Sequence, residues 1–314
     1  MQIKKMKQES RSSRIRNSKT QNGKQNGKMK YRDLYLYGVE KLNSAGIAEA
    51  KLDARLLLEE VCHTDRSDMI LYPDRDVDDV QCESYVNYIK KREQRIPLQQ
   101  IIEKQEFMGL EFYVNKYVLI PRQDTEILVE VAMKNLHDGM RILDVCTGSG
   151  CILISLLHYS NDCKGVGIDI SKEALGVARK NAEKLLPDEK EISFYQGDLF
   201  EALPDTEKFD MIVSNPPYIR SDVIPTLEPE VASHEPVIAL DGKEDGLFFY
   251  RRIIEEAGKY LCRGAMLFFE IGYDQAEAVL GLMKDKGFIE VNTLKDYAGL
   301  DRVVYGTYLP MDSL

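Results

Sequence analysis

At 314 residues, 44% of them hydrophobic, the chain is long enough to bury one large core and a smaller second one. No apolar run approaches the roughly 20 residues of a membrane span, and no apolar stretch follows the N-terminal charges as a secretory signal requires, so a globular cytoplasmic protein is expected. Residues 1–30 hold ten Lys or Arg against Glu9 alone, which leaves 32 basic and 51 acidic residues, a balance of −19, over 31–314; such a body lacks the basic stripe that duplex binding needs and suits a basic partner.

Residues 1–28 are rich in Lys, Arg, Ser, Gln and Asn, with only Ile3, Met6 and Ile15 to form an apolar face. They cannot offset the entropy of ordering and are expected to form a disordered basic extension; a transit peptide, or a start codon assigned upstream of Met29, are the other readings. From Tyr31 to about Arg95 the spacing is helical. Leu34, Tyr35, Val39 and Leu42 share one face, then Leu52, Leu56 and Leu57 with Glu59 and Glu60 outward, then Tyr85, Tyr88 and Ile89. This predicts an all-α domain over 29–96 whose last helix is closed by Pro97. Alternation around Gly109 over 101–114 predicts a hairpin, within a linker of 97–115.

Beyond that point strands and helices alternate, over a domain of 116–314. Short apolar strands are expected at 141–146, 165–169, 192–195, 209–214 and 265–270, with helices such as 172–184 and 246–260 between them. The class is α/β with a doubly wound parallel sheet, and further strand-like runs at 289–294 and 303–309 raise the count to seven. Cys62, Cys82, Cys146, Cys151, Cys163 and Cys262 are scattered without a CxxC pair, which predicts reduced thiols and no metal site.

The first of these strands runs into Asp144-Val145-Cys146-Thr147-Gly148-Ser149-Gly150. Glycines at 148 and 150 permit a sharp strand-to-helix turn whose backbone approaches a ligand, making Cys146, Thr147, Gly148, Ser149 and Gly150 candidate cofactor residues. The second strand ends at Asp169, about 20 residues on, where a carboxylate can accept both hydroxyls of a ribose. The third is followed by Gly197-Asp198-Leu199-Phe200, placed to hold an adenine by an amide contact and an apolar wall, with Asp198 and Leu199 as candidates. Either carboxylate alone would be an ordinary turn or cap residue. Their order along three successive strands points to a ligand.

Asn215-Pro216-Pro217-Tyr218 stands at the carboxyl end of the fourth strand. Two prolines fix the backbone and remove two N–H donors, leaving the Asn215 side-chain oxygen and the Pro216 carbonyl as acceptors. Such a pair can hold the hydrogens of an NH₂ whose lone pair is delocalised, either the amide of glutamine or the exocyclic amine of a base, while the nitrogen faces an electrophilic methyl group. Asn215 and Pro216 are therefore the candidate catalytic residues. Pro217 and Tyr218 join them as candidate substrate residues, Tyr218 offering a face to a planar group, and Asn215 also borders the cofactor.

The order of Gly loop, Asp169, Gly197-Asp198 and Asn-Pro-Pro-Tyr resembles the amino-methyltransferases, which divide into base methylases and protein glutamine N5-methyltransferases. The flanks separate the two. Pro121-Arg122-Gln123-Asp124-Thr125-Glu126, His234-Glu235-Pro236, Leu240-Asp241-Gly242, Asp245-Gly246-Leu247, Asp296-Tyr297 and Asp301-Arg302-Val303-Val304 resemble the release factor glutamine methyltransferase family. The likeness covers about residues 29–310, Pro97-Leu98-Gln99 included. A related methylase of a large-subunit ribosomal protein shares the loop and Asn-Pro-Pro-Tyr but typically lacks the Pro-Arg-x-Asp-Thr-Glu segment. Some members of the family carry Gly where Cys146 stands.

The resemblance implies a seven-stranded class I S-adenosylmethionine-dependent methyltransferase, Rossmann-like, behind a helical docking domain. S-adenosyl-L-methionine would be the methyl donor. Class I peptide chain release factors would be the partners, methylated on the glutamine of Gly-Gly-Gln by a monomer that binds neither nucleic acid nor membrane. A ribosomal-protein glutamine methylase and a nucleic-acid adenine N6-methylase are the alternatives. His234 is read as a loop residue near the substrate segment rather than a base, because the methylated nitrogen would lose its proton readily to water. Glu270, closing the fifth strand, is expected in or just behind the crevice.

Overall fold

The computed structural model describes residues 28–309, so the extension expected over 1–28 lies outside the described residues except for Lys28. Two compact units divide the chain after Ile102.

The N-terminal unit comprises β1 (Met29–Lys30), α1 (Tyr31–Ser44), α2 (Ala50–Cys62), α3 (Arg66–Leu71), β2 (Asp76–Val77), α4 (Asp79–Glu93) and α5 (Leu98–Ile102). Its core joins Tyr31, Leu34 and Leu42 of α1 to Leu57 and Leu58 of α2 and to Tyr85 and Ile89 of α4. On α2 the buried stripe is Ala50, Asp53, Ala54, Leu57 and Leu58, the i, i+3/i+4, i+7/i+8 set, which turns Leu52 outward to 41% exposure and leaves Leu56 at the margin. Asp65 and Asp68 form a capping box at α3, and the Asp78 side chain caps α4. Pro97 follows α4 but also opens α5, since its carbonyl accepts from Gln100 and Ile101 while its missing N–H costs nothing at a first turn. Within this core the Arg92 guanidinium donates to Asp53 at 2.7 Å, with side chains 9% and 8% exposed.

The C-terminal unit opens with a hairpin, β3 (Lys104–Phe107) and β4 (Leu110–Tyr113), followed by α6 (Gln123–Lys134), β5 (Arg141–Val145), α7 (Cys151–His158), β6 (Lys164–Asp169), α8 (Lys172–Leu185), β7 (Ile192–Gln196), β8 (Phe209–Ser214), α9 (Pro229–His234), α10 (Phe248–Tyr260), β9 (Leu261–Glu270), α11 (Ala276–Asp285), β10 (Phe288–Lys295) and β11 (Asp301–Tyr308). The hairpin is thus part of this unit rather than a free linker: Phe107 and Phe112 are buried with Leu128 of α6 and Leu153 of α7.

The main sheet has seven strands in the order β10-β11-β9-β8-β5-β6-β7. The five apolar strands run parallel, as expected, whereas β11 lies antiparallel between β9 and β10. A connection too short for a crossover explains this last step, because five residues between β10 and β11 allow only an antiparallel return. Apolar residues pack on both faces. One core gathers Tyr250, Ile253 and Ile254 of α10 with Val279 and Met283 of α11; the other gathers α6, α7 and Ala182 of α8. Strands covered on both faces read as continuous apolar runs, which is how they show in the sequence. From β5 the chain passes to β6 on one side, and β8 lies on the other. That reversal opens a crevice at the carboxyl ends of the strands.

Asp53→Ala should lower the unfolding free energy by about 3–5 kcal/mol, because it removes the carboxylate from a buried guanidinium. Replacing both groups together, Asp53→Leu with Arg92→Met, should recover most of that loss in urea unfolding, since no charge then remains in the core.

Candidate active site

A cavity of about 340 Å³ lies in that crevice, lined by the loops that leave β5, β6, β7 and β8, by the segment entering α6, and by the segment entering α10. After β5 the chain must turn at once into α7. Thr147 N donates to Ile168 O at 2.9 Å and Gly150 N to Thr147 O at 2.8 Å. Gly150 has φ +79, and a Cβ there would stand 2.8 Å from Ile154 Cδ1, so both conformation and packing require glycine. Cys146 adopts φ +64, a left-handed backbone in which a side chain stores about 1–3 kcal/mol of strain; glycine would take that conformation without it. Its thiol lines the cavity, and burial pushes its pKa well above the ordinary thiol value, so it stays protonated.

Asp169 ends β6. Its Oδ2 accepts from Gly148 N at 2.8 Å and its Oδ1 from Ser171 N at 2.9 Å. Each oxygen keeps a second lone-pair direction, so the carboxylate can still accept two further hydrogen bonds, the number a ribose diol offers. Burial raises the Asp169 pKa, and the N–H groups of Ser171, Gly148 and Ile170 oppose that rise. Cys146, Thr147, Gly148, Ser149, Asp169, Asp198, Leu199, Asn215 and Pro217 line the one cavity; Gly150, Pro216 and Tyr218 are not among its lining residues.

Two placements bring partners that sequence spacing does not show. The Asp198 carboxylate lines the cavity with both oxygens held by Arg252 Nη1 of α10, at 3.0 and 2.8 Å, which leaves one lone-pair direction on each for a ligand. Tyr218, expected to offer a ring face, packs against the core beside α10, and its hydroxyl donates to Glu270 Oε1 at 3.4 Å. Burial, then the Glu270 charge, hold that phenol above its ordinary pKa.

Asn215 donates from Nδ2 to Thr125 Oγ1 at 3.4 Å, which leaves its side-chain oxygen as an acceptor. The loop behind it is braced along its backbone. Gln275 Nε2 donates to Tyr218 O at 3.0 Å, Ile219 N to Leu240 O at 3.0 Å, and Gly242 N to Ile219 O at 2.7 Å. A Cβ on Gly242 would stand 2.7 Å from Tyr218 Cα, so only glycine admits this approach.

Thr125, Ile170, Phe248 and Arg252 also line the cavity, and no role for them follows from sequence spacing. Thr125 carried a signal, since it lies in the Pro-Arg-x-Asp-Thr-Glu segment, and the structure gives that segment a physical sense. Arg122 pairs with Glu235 at 2.5 Å, Asp124 with Arg302 at 3.3 Å, and Glu126 accepts from Met108 N at 2.7 Å. Arg302 in turn holds Asp296 at 3.0 Å. His234 ends α9 and is not a lining residue.

Asp144, fully buried in β5, accepts from Thr147 Oγ1 at 2.6 Å through Oδ2, while Oδ1 has no partner. Burial pushes its pKa up to about 7. The folded state therefore holds a proton that the unfolded chain releases between the ordinary carboxylate value and about pH 7, and this group's contribution to stability is lost as pH rises through that window. Asp144→Asn should flatten the fall of the thermal midpoint between pH 5 and about pH 7, with little change of slope above that value, where the carboxyl is ionised in the folded state too.

Among the described residues no helix is long and apolar enough to cross a membrane, and no group of three or more His, Cys, Asp or Glu could hold a metal ion. Residues 33–102 match the PrmC N-terminal domain and residues 136–258 a methyltransferase domain. The fold is similar to the catalytic domain of hMettl16, with a TM-score of 0.51 and 16% identity, over 76% of this chain and 87% of that one. Release factor glutamine methyltransferase of Clostridium acetobutylicum is 43% identical over 80% of this chain and 89% of its own. Its namesake in Caulobacter vibrioides is 41% identical over 87% and 95%. With relatives this similar along nearly their whole length, the chain belongs to the release factor glutamine methyltransferase family.

Proposed function

We propose that the protein transfers the methyl group of S-adenosyl-L-methionine to the side-chain amide nitrogen of the glutamine in the Gly-Gly-Gln motif of class I peptide chain release factors. The observation that carries this reading is Asn215, whose Nδ2 is engaged by Thr125 at the wall of the cavity so that its oxygen remains as an acceptor. An amide nitrogen is a poor nucleophile because its lone pair is delocalised. It reacts only if held with its face to the methyl group, and two fixed acceptors accomplish that.

The cavity residues fit the donor. Asp169 has one open lone-pair direction on each oxygen for the ribose hydroxyls, and Ile170 and Leu199 supply apolar surface for an adenine. When bound, S-adenosylmethionine supplies an electrophilic methyl group on a sulfonium. The Asn215 side-chain oxygen accepts one amide hydrogen of the substrate and the Pro216 carbonyl the other. Pro217, buried at the wall, excludes water behind the plane of the amide. Once methylated, the nitrogen carries an acidic proton that leaves to water, so no side chain is required as a base.

The helical unit would dock the release factor, and the acidic balance of the chain beyond residue 30 suits a basic protein surface better than a nucleic acid. The enzyme would act in the cytoplasm as a monomer. Incubation with labelled S-adenosylmethionine and a class I release factor, followed by peptide mapping, should place one methyl group on the Gly-Gly-Gln glutamine; label elsewhere, or on duplex DNA, would sink the assignment.

Asn215→Ala should slow single-turnover methyl transfer by roughly two to three decades, the loss of about 3–4 kcal/mol that follows removal of one aligned transition-state contact, with a modest change in donor affinity. Asp169→Ala should do the reverse. It removes two charge-assisted hydrogen bonds of roughly 1.5–3 kcal/mol each, so calorimetric titration should show donor binding weakened severely.

A further inference from the structure

Methyl transfer as described needs Asn215 to present oxygen, not NH₂, to the substrate. The two ends of a primary amide have nearly the same shape, so the residue cannot choose by itself. Thr125, 2% exposed in the first turn of α6, is the group that Asn215 Nδ2 meets, at 3.4 Å. A hydroxyl both donates and accepts, so Thr125 imposes a direction only if its own proton is committed elsewhere. Glu270, 2% exposed at the end of β9, is the carboxylate within reach of the Thr125 hydroxyl, which favours its ionised form; its Oε1 takes the Tyr218 hydroxyl at 3.4 Å, and its buried Oε2 has no closer hydrogen-bond partner than the loose contact with Thr125. An ionised carboxylate only accepts. It draws the Thr125 proton, the Thr125 oxygen is left as an acceptor, and Asn215 must then turn its NH₂ toward Thr125 and its oxygen to the cavity.

We propose that Glu270, acting through the hydroxyl of Thr125, is a positioning residue that sets which end of the Asn215 amide meets the substrate. The inference rests on the reading of Asn215 given above. Burial pushes the Glu270 carboxyl up to about 7, with the Thr125 hydroxyl and then the Arg302 guanidinium favouring its ionised form and Asp124 opposing it. Protonated, Glu270 can donate to Thr125, Thr125 can donate to Asn215, and the amide is free to turn round. The remaining groups that face it stay neutral around pH 7: Tyr218, Tyr250 of α10 and Cys151 of α7 are all raised by burial, Cys151 to about 12. Asp144 titrates in the same range from β5 and needs its own control.

The test measures single-turnover methyl transfer to a Gly-Gly-Gln substrate between pH 5.5 and pH 8.5, at roughly one-unit steps or finer, beside calorimetric affinity for S-adenosylmethionine. Thr125→Val and Glu270→Gln should each lose roughly ten- to a hundredfold in rate, as one misdirected hydrogen bond would, with donor affinity near the parental value. Thr125→Ser should restore most of the rate. The parental rate should fall as pH drops through about 7; that acid limb should vanish in Glu270→Gln and persist in Asp144→Asn. Should Glu270→Gln not fold, the Thr125 pair decides, because both variants leave the carboxyl in place. Parental rates in Thr125→Val, or an acid limb lost in Asp144→Asn but kept in Glu270→Gln, would overturn the relay while a crippled Asn215→Ala left the reading of the site standing. An Asn215→Ala enzyme at the parental rate would overturn both.

Discussion

The site depends on a stretch of backbone that cannot hold itself. After Ser214 leaves β8, two of the next three residues are prolines with no N–H to donate, so the ladder that shaped the strand stops where the chemistry begins. Its shape has to come from neighbours. Ser214 Oγ ties the strand end to Val145 O at 2.6 Å, Gln275 takes the Tyr218 carbonyl, and residues 240–242 lie alongside Ile219 like a strand of one bridge. The glycine of Leu-Asp-Gly is there because a side chain would collide with the backbone of Tyr218. The rigid placing of Asn215 at the cavity wall is therefore a property of four separated segments.

The same logic accounts for the charges around the cavity. Arg122 with Glu235, and Arg302 with Asp124, join segments that lie far apart in the chain, and Asp296, six residues away, holds Arg302 in place. Pairs with one partner this buried contribute little net stability, since desolvation consumes most of the Coulomb attraction. Removing one partner is another matter, because a carboxylate such as Glu235, 1% exposed, would be left without its cation. Such pairs act as keys. They penalise arrangements in which the entry to α6, the segment after α9 and β11 are out of register.

What could be read from sequence was local. Apolar strands buried on both faces, a glycine turn, a carboxylate ending the next strand and Asn-Pro-Pro-Tyr each carry their signal within a few residues, and the cavity gathers most of the residues so identified. The placements of Asp198 and Tyr218 were not legible, because they depend on Arg252, 54 residues from Asp198, and on Glu270, 52 from Tyr218. Thr125 reaches Asn215 across 90 residues. Helix α6 was hidden for a different reason: Arg122 precedes it without a capping side-chain bond, so the usual start signal is missing. Helix α7 is only eight residues, seven of them buried, and an apolar run of that length has no period to distinguish helix from strand.

Several of the unfavourable terms of this fold gather at and behind the cavity. Cys146 and Leu199 hold left-handed backbones without being glycine, at φ +64 and +53, and both line the cavity. Asp144, Glu235 and Glu270 each bury a carboxyl oxygen without a close hydrogen-bond partner, that of Glu270 reached only by the looser contact of Thr125, and each has its pKa raised by burial. The favourable terms lie elsewhere, in the two apolar layers that cover the faces of the sheet. A segment that must keep strained loops and desolvated acids in fixed positions can do so only if they are attached to something that does not yield, and the ends of parallel strands clamped between two helical layers provide that. The separation also explains why local sequence rules fail at this edge and succeed within the layers. At the edge, each residue's conformation is decided by a contact it would not choose, imposed by neighbours that are already secured.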